Sequence, residues 1–365
     1  MPRSVAGFPY LALLLVLTAC QASAPAARSD AGAAPVAPAP ASAAAAPAPA
    51  SAAPSAATAT PPAPTSLVLS FSNLAPTDWP IWIAKDMGLF AKHGLDADVR
   101  LVESATGVPA LIAGETQVAV LGGSEVLGAA VEGADLVMVG GLARTYPFRF
   151  MANADVTTVD ALRGKRVGVS RTGSSSDIAT RVALQRLNLV PDQDVAVMQV
   201  GSLTARIAAL ESGAIQGGVT EPPDTTRLAR MGYHILFDLA DLGLPSATDV
   251  IAVRRSYAAE QRATVQNVVD AVIEAIALER ADPQGAQAVL GRWLQNDDAE
   301  GLAEAWEFYT TKLLPHAPSL APEQFTDVRT VMAERNPAIG SYDVSRAVDN
   351  SFVDAAVARG LAGPE

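Results

Sequence analysis

Short polar loops after predicted strands hold most of the side chains that could bind a small molecule. The loop after the predicted strand at 167–170 contains Ser174, Ser175 and Asp177. Ser174 and Asp177 have the spacing of a capping box that opens a helix, with Asp in place of the usual Glu. The bare N–H groups of a helix start, with serine hydroxyls beside them, can bind ligand oxygen atoms, and a plain N-cap without a ligand fits the same spacing. Ser124, behind two glycines, repeats this arrangement in the first half of the chain.

Aromatic and acidic residues offer a second kind of ligand contact. Trp79 stands between Asp78 and Pro80 at a predicted helix start, so we expect it at a cleft, where stacking on a ligand and packing in a core are the two hypotheses. The segment of Tyr146, Pro147 and Phe148 could form the floor of the same cleft, with an ordinary buried strand as the alternative. Glu221 could accept hydrogen bonds from an amine or a ring N–H, or could stabilise the dipole of the helix that follows it.

Catalysis and nucleic-acid binding find little support in the sequence. None of the motifs GxxxxGK[ST], GxGxxG and GxSxG occurs, and the three histidines, His93, His234 and His316, lie far apart along the chain. Lys and Arg number 26 against 38 Asp and Glu, and the formal net charge of -12 has the wrong sign for neutralising phosphates. We therefore expect a binding protein with no catalytic residue, no metal, no cofactor and no nucleic-acid partner.

The N-terminal part of the chain predicts export and attachment to a membrane. Arg3 precedes an apolar run at 8–19, which is typical of a signal peptide and too short to span a bilayer. The run ends in Leu-Thr-Ala-Cys, similar to a bacterial lipobox, so we expect residues 1–19 to be removed and Cys20 to be lipidated; an ordinary cleaved signal with an incidental cysteine is the alternative. Residues 20–65 are mostly Ala and Pro, which predicts an extended tether. We expect the protein on the extracytoplasmic face of the cell membrane, held there by its lipid anchor.

The elements that must position these loops occur twice, at a separation of about 98 or 99 residues. The matched pairs of segments are 66–72 with 165–170, 110–120 with 209–219, and 135–139 with 233–237. Each pair has the hydrophobic pattern of a strand or of a helix followed by a strand. The repetition predicts two lobes of one α/β topology, with chance likeness between generic βα units as the alternative.

The repeat also predicts where the lobes begin and end. We expect 66–151 and 248–365 to form lobe 1 and 152–247 to form lobe 2. The sequence after residue 253 has helical periodicity, which predicts a C-terminal helical block that packs on lobe 1. The chain would then cross between the lobes twice, near 151–153 and near 244–247, and these crossings would be the hinge.

Several of these segments resemble one family of transport proteins. The segment from Trp79 to Leu95 resembles the opening motif P-x-x-x-A-x-x-x-G-x-[FL]-x-x-x-G-[LI] of ABC-importer substrate-binding proteins of the SsuA/TauA class. Residues 162–177 are similar to the start of that family's second lobe, 209–218 to its A-L-x-x-G-x-I segment, and Glu221 with the two prolines after it to a loop that follows a strand.

The resemblance implies a type 2 periplasmic-binding-protein fold, an α/β fold of two βαβ lobes joined by a hinge of two crossings, with a C-terminal helical block. It implies binding without catalysis, and the partners would be a small-molecule ligand and the permease and ATPase subunits of an ABC importer. Some fungal relatives of this fold are enzymes with a Cys-rich motif, which this chain lacks because Cys20 is its single cysteine. The residues that the resemblance places at the cleft are Trp79, Ser124, Ser174, Ser175 and Glu221.

The residues of the predicted cleft are compatible with more than one class of ligand. The aromatic residues Trp79, Tyr146 and Phe148, with hydroxyl and carboxylate partners, favour a flat heteroaromatic such as riboflavin or a thiamine pyrimidine precursor, because such a ring stacks and donates N–H groups. The alternative is an alkanesulfonate, taurine or nitrate bound by helix starts and Arg171. A remoter alternative is a lipid-tethered sensor or scaffold domain that keeps the fold and signals to a partner.

Overall fold

The computed structural model describes residues 63–363, which form two α/β lobes. The predicted signal peptide, Cys20 and nearly all of the predicted tether lie outside the described residues. Each lobe is built on a five-stranded sheet flanked by helices, which confirms the predicted α/β class.

Ten strands make up the two sheets. In chain order they are β1 (Thr65–Phe71), β2 (Leu95–Leu101), β3 (Val118–Leu121), β4 (Leu136–Gly141), β5 (Arg149–Ala152), β6 (Arg166–Val169), β7 (Ala196–Gln199), β8 (Gly217–Thr220), β9 (His234–Asp238) and β10 (Val250–Arg254). Val, Ile and Leu dominate the central strands of the first sheet. β3, β4 and β8 are buried along their whole length, as strands covered on both faces must be.

The α-helices within residues 63–363 cover the faces of the sheets. They are α1 (Trp79–Asp86), α2 (Leu89–Lys92), α3 (Ser104–Ala113), α4 (Gly123–Val131), α5 (Ser175–Arg186), α6 (Leu203–Glu211), α7 (Asp224–Arg230), α8 (Arg255–Glu260), α9 (Arg262–Ala281), α10 (Pro283–Leu294), α11 (Ala299–Phe308), α12 (Thr326–Ala333), α13 (Pro337–Ser341) and α14 (Ser351–Ala358). A π-helical turn at Tyr309–Leu313 continues α11. No helix among the described residues is both long enough and apolar enough to span a membrane.

Each sheet contains one strand that runs against its neighbours. The strand order is β2-β1-β3-β10-β4 in the first sheet and β7-β6-β8-β5-β9 in the second. β10 is antiparallel to β3 and β4, and β5 is antiparallel to β8 and β9. Both antiparallel strands follow a crossing from the other lobe, so each enters its sheet from the end at which the neighbouring strands leave.

The first crossing lies earlier than the sequence predicts. The predicted crossing near 151–153 falls on β5 and the residue after it, and Met151 pairs with Gly218 in the middle of the second sheet. The chain therefore crosses at 142–148, between β4 and β5. The second crossing occupies 239–249, a segment that includes the predicted 244–247.

Two hydrophobic cores cover opposite faces of the first sheet. One combines β1 with α1, α9, α10 and α14, and in it Trp82 stacks on Trp293 with ring centroids 5.2 Å apart. The other combines α4 with α5 and α12 and continues into the second lobe. The C-terminal block, predicted to pack on lobe 1, thus packs there through α9, α10 and α14, while α12 also contacts α5 of the second lobe.

Substitution of two glycines in α4 can measure how tightly α4 packs against the second crossing. Gly123 donates to the Ala247 carbonyl at 3.0 Å, and a Cβ at Gly123 would lie 2.4 Å from that oxygen. We expect Gly123→Ala to lower the free energy of unfolding by about 1–3 kcal/mol, because backbone must move to relieve the overlap. Gly128→Ala is the matched control, since its Cβ would meet the flexible end of Met332 and a helix gains stability from Ala. Urea denaturation of both variants measures the difference, and equal stabilities would contradict the tight crossing.

Candidate functional site

A polar cavity lies between the two lobes, at the edge where the parallel strands of both sheets end. Its volume is about 40 Å³, and one water molecule needs about 10–15 Å³. This arrangement, with the lobes in contact, therefore has room for a small solute group. The polar side chains that line it are Ser72, Asn73, Thr77, Ser104, Glu125, Ser170, Ser174, Ser175, Ser176, Arg206, Glu221, Thr248 and Asp249.

The serines at the start of α5 line the cavity, and one of them, Ser174, also caps the helix. Ser174 Oγ accepts from the Asp177 N–H at 3.4 Å and donates to the Arg171 carbonyl at 2.8 Å. Ser175 Oγ donates to the Thr248 carbonyl at 2.7 Å and so bonds the second lobe to the start of β10 in the first sheet. Ser174 is therefore both the N-cap of α5 and part of the cavity wall.

Trp79 lies in a core and does not line the cavity. Its side chain is 0% exposed, and its indole Nε1 donates to the Ala286 carbonyl at 2.9 Å. Thr77, in the 3₁₀ turn Pro76–Asp78 before α1, lines the cavity. Trp79, the first residue of α1, points in another direction and packs against α10. The structure corrects the predicted stacking position, because the ring is already packed on the protein's own side chains.

Ser124 and Tyr146 are also buried without lining the cavity. Ser124 lies in the first turn of α4, and the residues of this helix start that line the cavity are Gly122 and Glu125. Tyr146 belongs to the core shared by the two lobes, and burial raises the pKa of its hydroxyl well above the ordinary range. Phe148, two residues further along the first crossing, provides the aromatic wall in its place.

Four carboxyl groups are buried at or beside the cavity: those of Asp78, Glu125, Glu221 and Asp249. Burial raises the pKa of Glu221 to about 8 and that of Asp249 to about 7, while hydrogen bonds from Tyr309 and Thr77, respectively, lower them. Asp78 has its pKa raised well above the ordinary value by burial and by the two neighbouring carboxyls, and its Oδ1 has no hydrogen-bond partner among residues 63–363. A neutral carboxyl can donate to a ligand, and an ionised one can accept from an amine or a ring N–H.

One buried cation faces these acids. Burial lowers the pKa of Arg206 to about 10, and the Glu221 carboxylate partly offsets that effect. Arg206 Nη1 donates to Ser170 Oγ and, at 3.4 Å, to the Gly201 carbonyl, whereas its Nε has no partner among the described residues. The cavity can thus receive a hydrogen-bond acceptor at Arg206 and a donor at the carboxyl groups.

Ion pairs join the two lobes. Arg171 Nη2 lies 2.7 Å from Glu125 Oε1, and Arg171 Nε donates to Ser104 Oγ at 3.1 Å. Arg149 of β5 contacts Glu304 of α11 at 2.9 Å. The Glu125 side chain is 2% exposed. Ser104 Oγ and the Gly122 N–H donate to it within the first lobe, and the closed cleft adds Arg171 as its cationic partner.

The sequence did not point to Arg206, Asp249 and Tyr309 as site residues, because none of them lies in a loop that follows a strand of its own lobe's parallel order. Asp249 precedes β10, and an antiparallel strand begins at the edge where its neighbours end. The apolar run at 250–253 that follows Asp249 was therefore a usable signal. Arg206 lies inside α6, and Tyr309 lies far along the C-terminal block, where no local pattern marks them. Within residues 63–363, no group of three or more His, Cys, Asp and Glu side chains is arranged to hold a metal ion.

The comparisons with known proteins establish the family. Residues 76–286 match the family described as NMT1/THI5 like, and the chain belongs to this family. A protein of Brucella abortus (strain 2308), named as a candidate binding protein, is 27% identical over 233 residues, which are 61% of this chain and 70% of that protein.

Solved structures show the fold. The alkanesulfonate-binding protein SsuA from Xanthomonas axonopodis pv. citri, bound to MOPS, superposes with a TM-score of 0.63 at 20% identity over 79% of this chain and 99% of that one. The periplasmic nitrate-binding protein NrtA from Synechocystis PCC 6803 gives 0.61 at 14% identity over 81% and 89%. The predicted periplasmic-binding-protein fold and the resemblance to the SsuA/TauA class are therefore confirmed.

Enzymes also occur among the structures with this fold. The desulfurization enzyme DszB superposes with a TM-score of 0.59 at 16% identity over 80% of this chain and 99% of that one. Since identities this low establish the fold alone, the expectation of binding without catalysis depends on the site and on the family.

The buried carboxyls predict an unusual dependence of stability on pH. Because the folded pKa values of Glu221 and Asp249 exceed the ordinary carboxyl value, the folded chain binds more protons than the unfolded chain between about pH 4 and pH 8. We expect the free energy of unfolding to fall as the pH rises from about 5 to 8, by up to about 1.4 kcal/mol per pH unit for each group. Urea denaturation at several pH values measures the slope.

Glu221→Gln provides the control for this slope, because glutamine keeps the shape and does not titrate. The variant should be less sensitive to pH than the parent chain over the same window. A parent chain whose stability is constant or rises from about pH 5 to 8 would contradict the assignment.

The Arg171–Glu125 pair should favour the closed cleft. We expect Arg171→Ala to enlarge the radius of gyration measured by small-angle X-ray scattering, because closing would then bury Glu125 without its ionic partner. Arg163→Ala is the matched control, since Arg163 pairs with Asp194 within the second lobe at 2.6 Å. Equal radii for the two variants would show that this pair does not hold the lobes together.

Proposed function

We propose that this protein is an extracytoplasmic solute-binding lipoprotein, which captures a small solute between its lobes and delivers it to the permease and ATPase of an ABC importer. The observation that carries the proposal is the polar cavity with walls from both lobes, bridged by hydrogen bonds such as that from Ser175 to the Thr248 carbonyl. Two-lobed proteins of this kind close on a solute by a hinge motion. Proteins of the same fold that bind alkanesulfonate and nitrate support this function.

The favoured ligand is a small heteroaromatic with N–H donors, such as a thiamine pyrimidine precursor. Glu221 and Asp249 supply acceptors for ring or amino N–H groups, and Phe148 supplies a flat apolar wall. Arg206 and the serine hydroxyls supply donors for ring nitrogens. Riboflavin, the larger heteroaromatic expected from the sequence, fits this small cavity less well, because the predicted stacking residue Trp79 lies in a core.

The alternative ligand is an alkanesulfonate, taurine or nitrate. Arg206 and the hydroxyls at the start of α5 would bind the anionic oxygens, and in taurine the ammonium would bind Asp249 or Glu221. The net surplus of carboxyl groups favours a solute with an amino or N–H end over a simple anion.

Attachment to the membrane is proposed from the sequence. Cys20 stands at the end of a lipobox-like segment, and the Ala/Pro-rich chain after it is long enough to separate the lobes from a membrane. Lipidation of Cys20 would hold the protein on the extracytoplasmic face, where an importer receives its solute.

Thermal melting of the full chain with a panel of solutes tests the function. At about 100 times its dissociation constant a ligand stabilises a protein by about 2.7 kcal/mol, which raises the melting temperature by several degrees at this size. We expect a shift with the aminopyrimidine precursor of thiamine that Glu221→Gln removes. The matched control is Glu211→Gln, a change on the exposed surface of the second lobe, which should leave the shift unchanged.

Other results would redirect the assignment. A shift with taurine or an alkanesulfonate and none with the pyrimidine would favour the alternative ligand. The absence of any shift at millimolar riboflavin, pyrimidine, taurine, alkanesulfonate and nitrate would contradict capture of these solute classes.

A further inference from the structure

A hydrogen bond between the C-terminal block and the cavity joins the two lobes at the ligand site. The Tyr309 hydroxyl donates to Glu221 Oε2. Glu221 follows β8 of the second sheet and lines the cavity, whereas Tyr309 belongs to the core of the first lobe. The bond therefore exists only while the lobes are in contact.

The ring of Tyr309 is held in place by other aromatic side chains. Trp79 meets it edge to face with ring centroids 6.4 Å apart, and Phe308 does so at 5.6 Å. Tyr309 is 1% exposed and begins the π-helical turn that continues α11, a type of turn often found at functional sites. A ring fixed in this way keeps its hydroxyl at one position, from which it can orient a partner.

The hydroxyl also acts on the charge of Glu221. Burial raises the pKa of that carboxyl, and the bond from Tyr309 lowers it, so the bond favours the ionised form that can accept from a ligand N–H group. The pKa of Tyr309 is itself raised by burial and by Glu221, so its hydroxyl keeps its proton and remains a donor. The other charged groups that act on this pair are Asp78, Asp249, Arg206, Asp224 and Glu279.

We propose that Tyr309 is a positioning residue of the ligand site, which orients the Glu221 carboxylate toward a captured solute and ties it to the first lobe when the cleft closes. The proposal rests on the proposed function, capture of a solute with N–H donors. It assigns to the C-terminal helical block a direct part in ligand recognition, in addition to its packing on the first lobe.

Tyr309→Phe tests the proposal, because it removes the hydroxyl and keeps the ring. We expect affinity for the aminopyrimidine precursor of thiamine, or for taurine if that is the solute that binds, to fall on the order of tenfold. Tyr257→Phe is the matched control, since Tyr257 is half-buried in α8 and contacts Arg254 of the first lobe.

The dependence of affinity on pH separates positioning from simple packing. Loss of the Tyr309 hydroxyl removes an interaction that lowers the pKa of Glu221, so the midpoint of the affinity-against-pH curve should move to higher pH, on the order of one unit. A purely structural role for the ring leaves that midpoint in place. The proposal would be overturned if Tyr309→Phe kept the affinity and the midpoint of the parent chain while Glu221→Gln lost binding. That result would still support the proposed function.

A measurement without solute tests the tie between the lobes independently. We expect small-angle X-ray scattering to give a larger radius of gyration for Tyr309→Phe than for the parent chain or Tyr257→Phe. Equal radii would overturn the role of Tyr309 in closure. If the proposed function is wrong, neither the parent chain nor Tyr257→Phe will bind any of the probes.

Discussion

Burial of carboxyl groups between two lobes is the constraint on which the rest of this structure depends. A carboxyl removed from water must become neutral or must gain hydrogen bonds, since an unpaired buried charge is strongly unfavourable. Glu221 reaches the cavity from the second lobe and Asp249 from the start of a first-sheet strand, so both are buried when the lobes meet. The bonds from Tyr309, Ser175 and Arg171 across the cleft satisfy groups that closure takes from water. The chemistry of the cavity and the contact between the lobes are consequently inseparable.

The two crossings of the chain between the lobes explain why so many polar groups meet at the cavity. Ligands of open α/β sheets collect at the carboxyl ends of parallel strands. β10 enters the first sheet in the opposite sense, which brings the end of the second crossing, with Thr248 and Asp249, to that same edge. The second crossing thus serves both as the connection between lobes and as part of the site. The tight contact of Gly123 with Ala247 shows how closely this segment packs on α4.

Membership of the NMT1/THI5-like family and the periplasmic-binding-protein fold agree with this arrangement, and the side chains define what this chain could recognise. Arg206 is buried at a cavity that also holds four carboxyl groups and a row of hydroxyls. A solute with both donors and acceptors satisfies such a site better than a simple anion does, because Arg206 and Asp249 need opposite partners. The aromatic residues that the sequence suggested for stacking, Trp79 and Tyr146, instead stabilise the lobes around the site.

The sequence by itself determined the α/β class, the repeated lobes and the loops that contribute Ser174, Ser175 and Glu221, because strand periodicity, caps and parallel order are local signals. Only the tertiary structure decided that Trp79 faces a core and that Asp249 and the distant Tyr309 meet Glu221. The direction of a helix face is set by its packing partner, and the partner of Trp79 is the Ala286 carbonyl, far along the chain. Local hydrogen-bonding and capping rules act over a few residues, whereas the cavity is assembled from contacts between segments that the sequence keeps far apart.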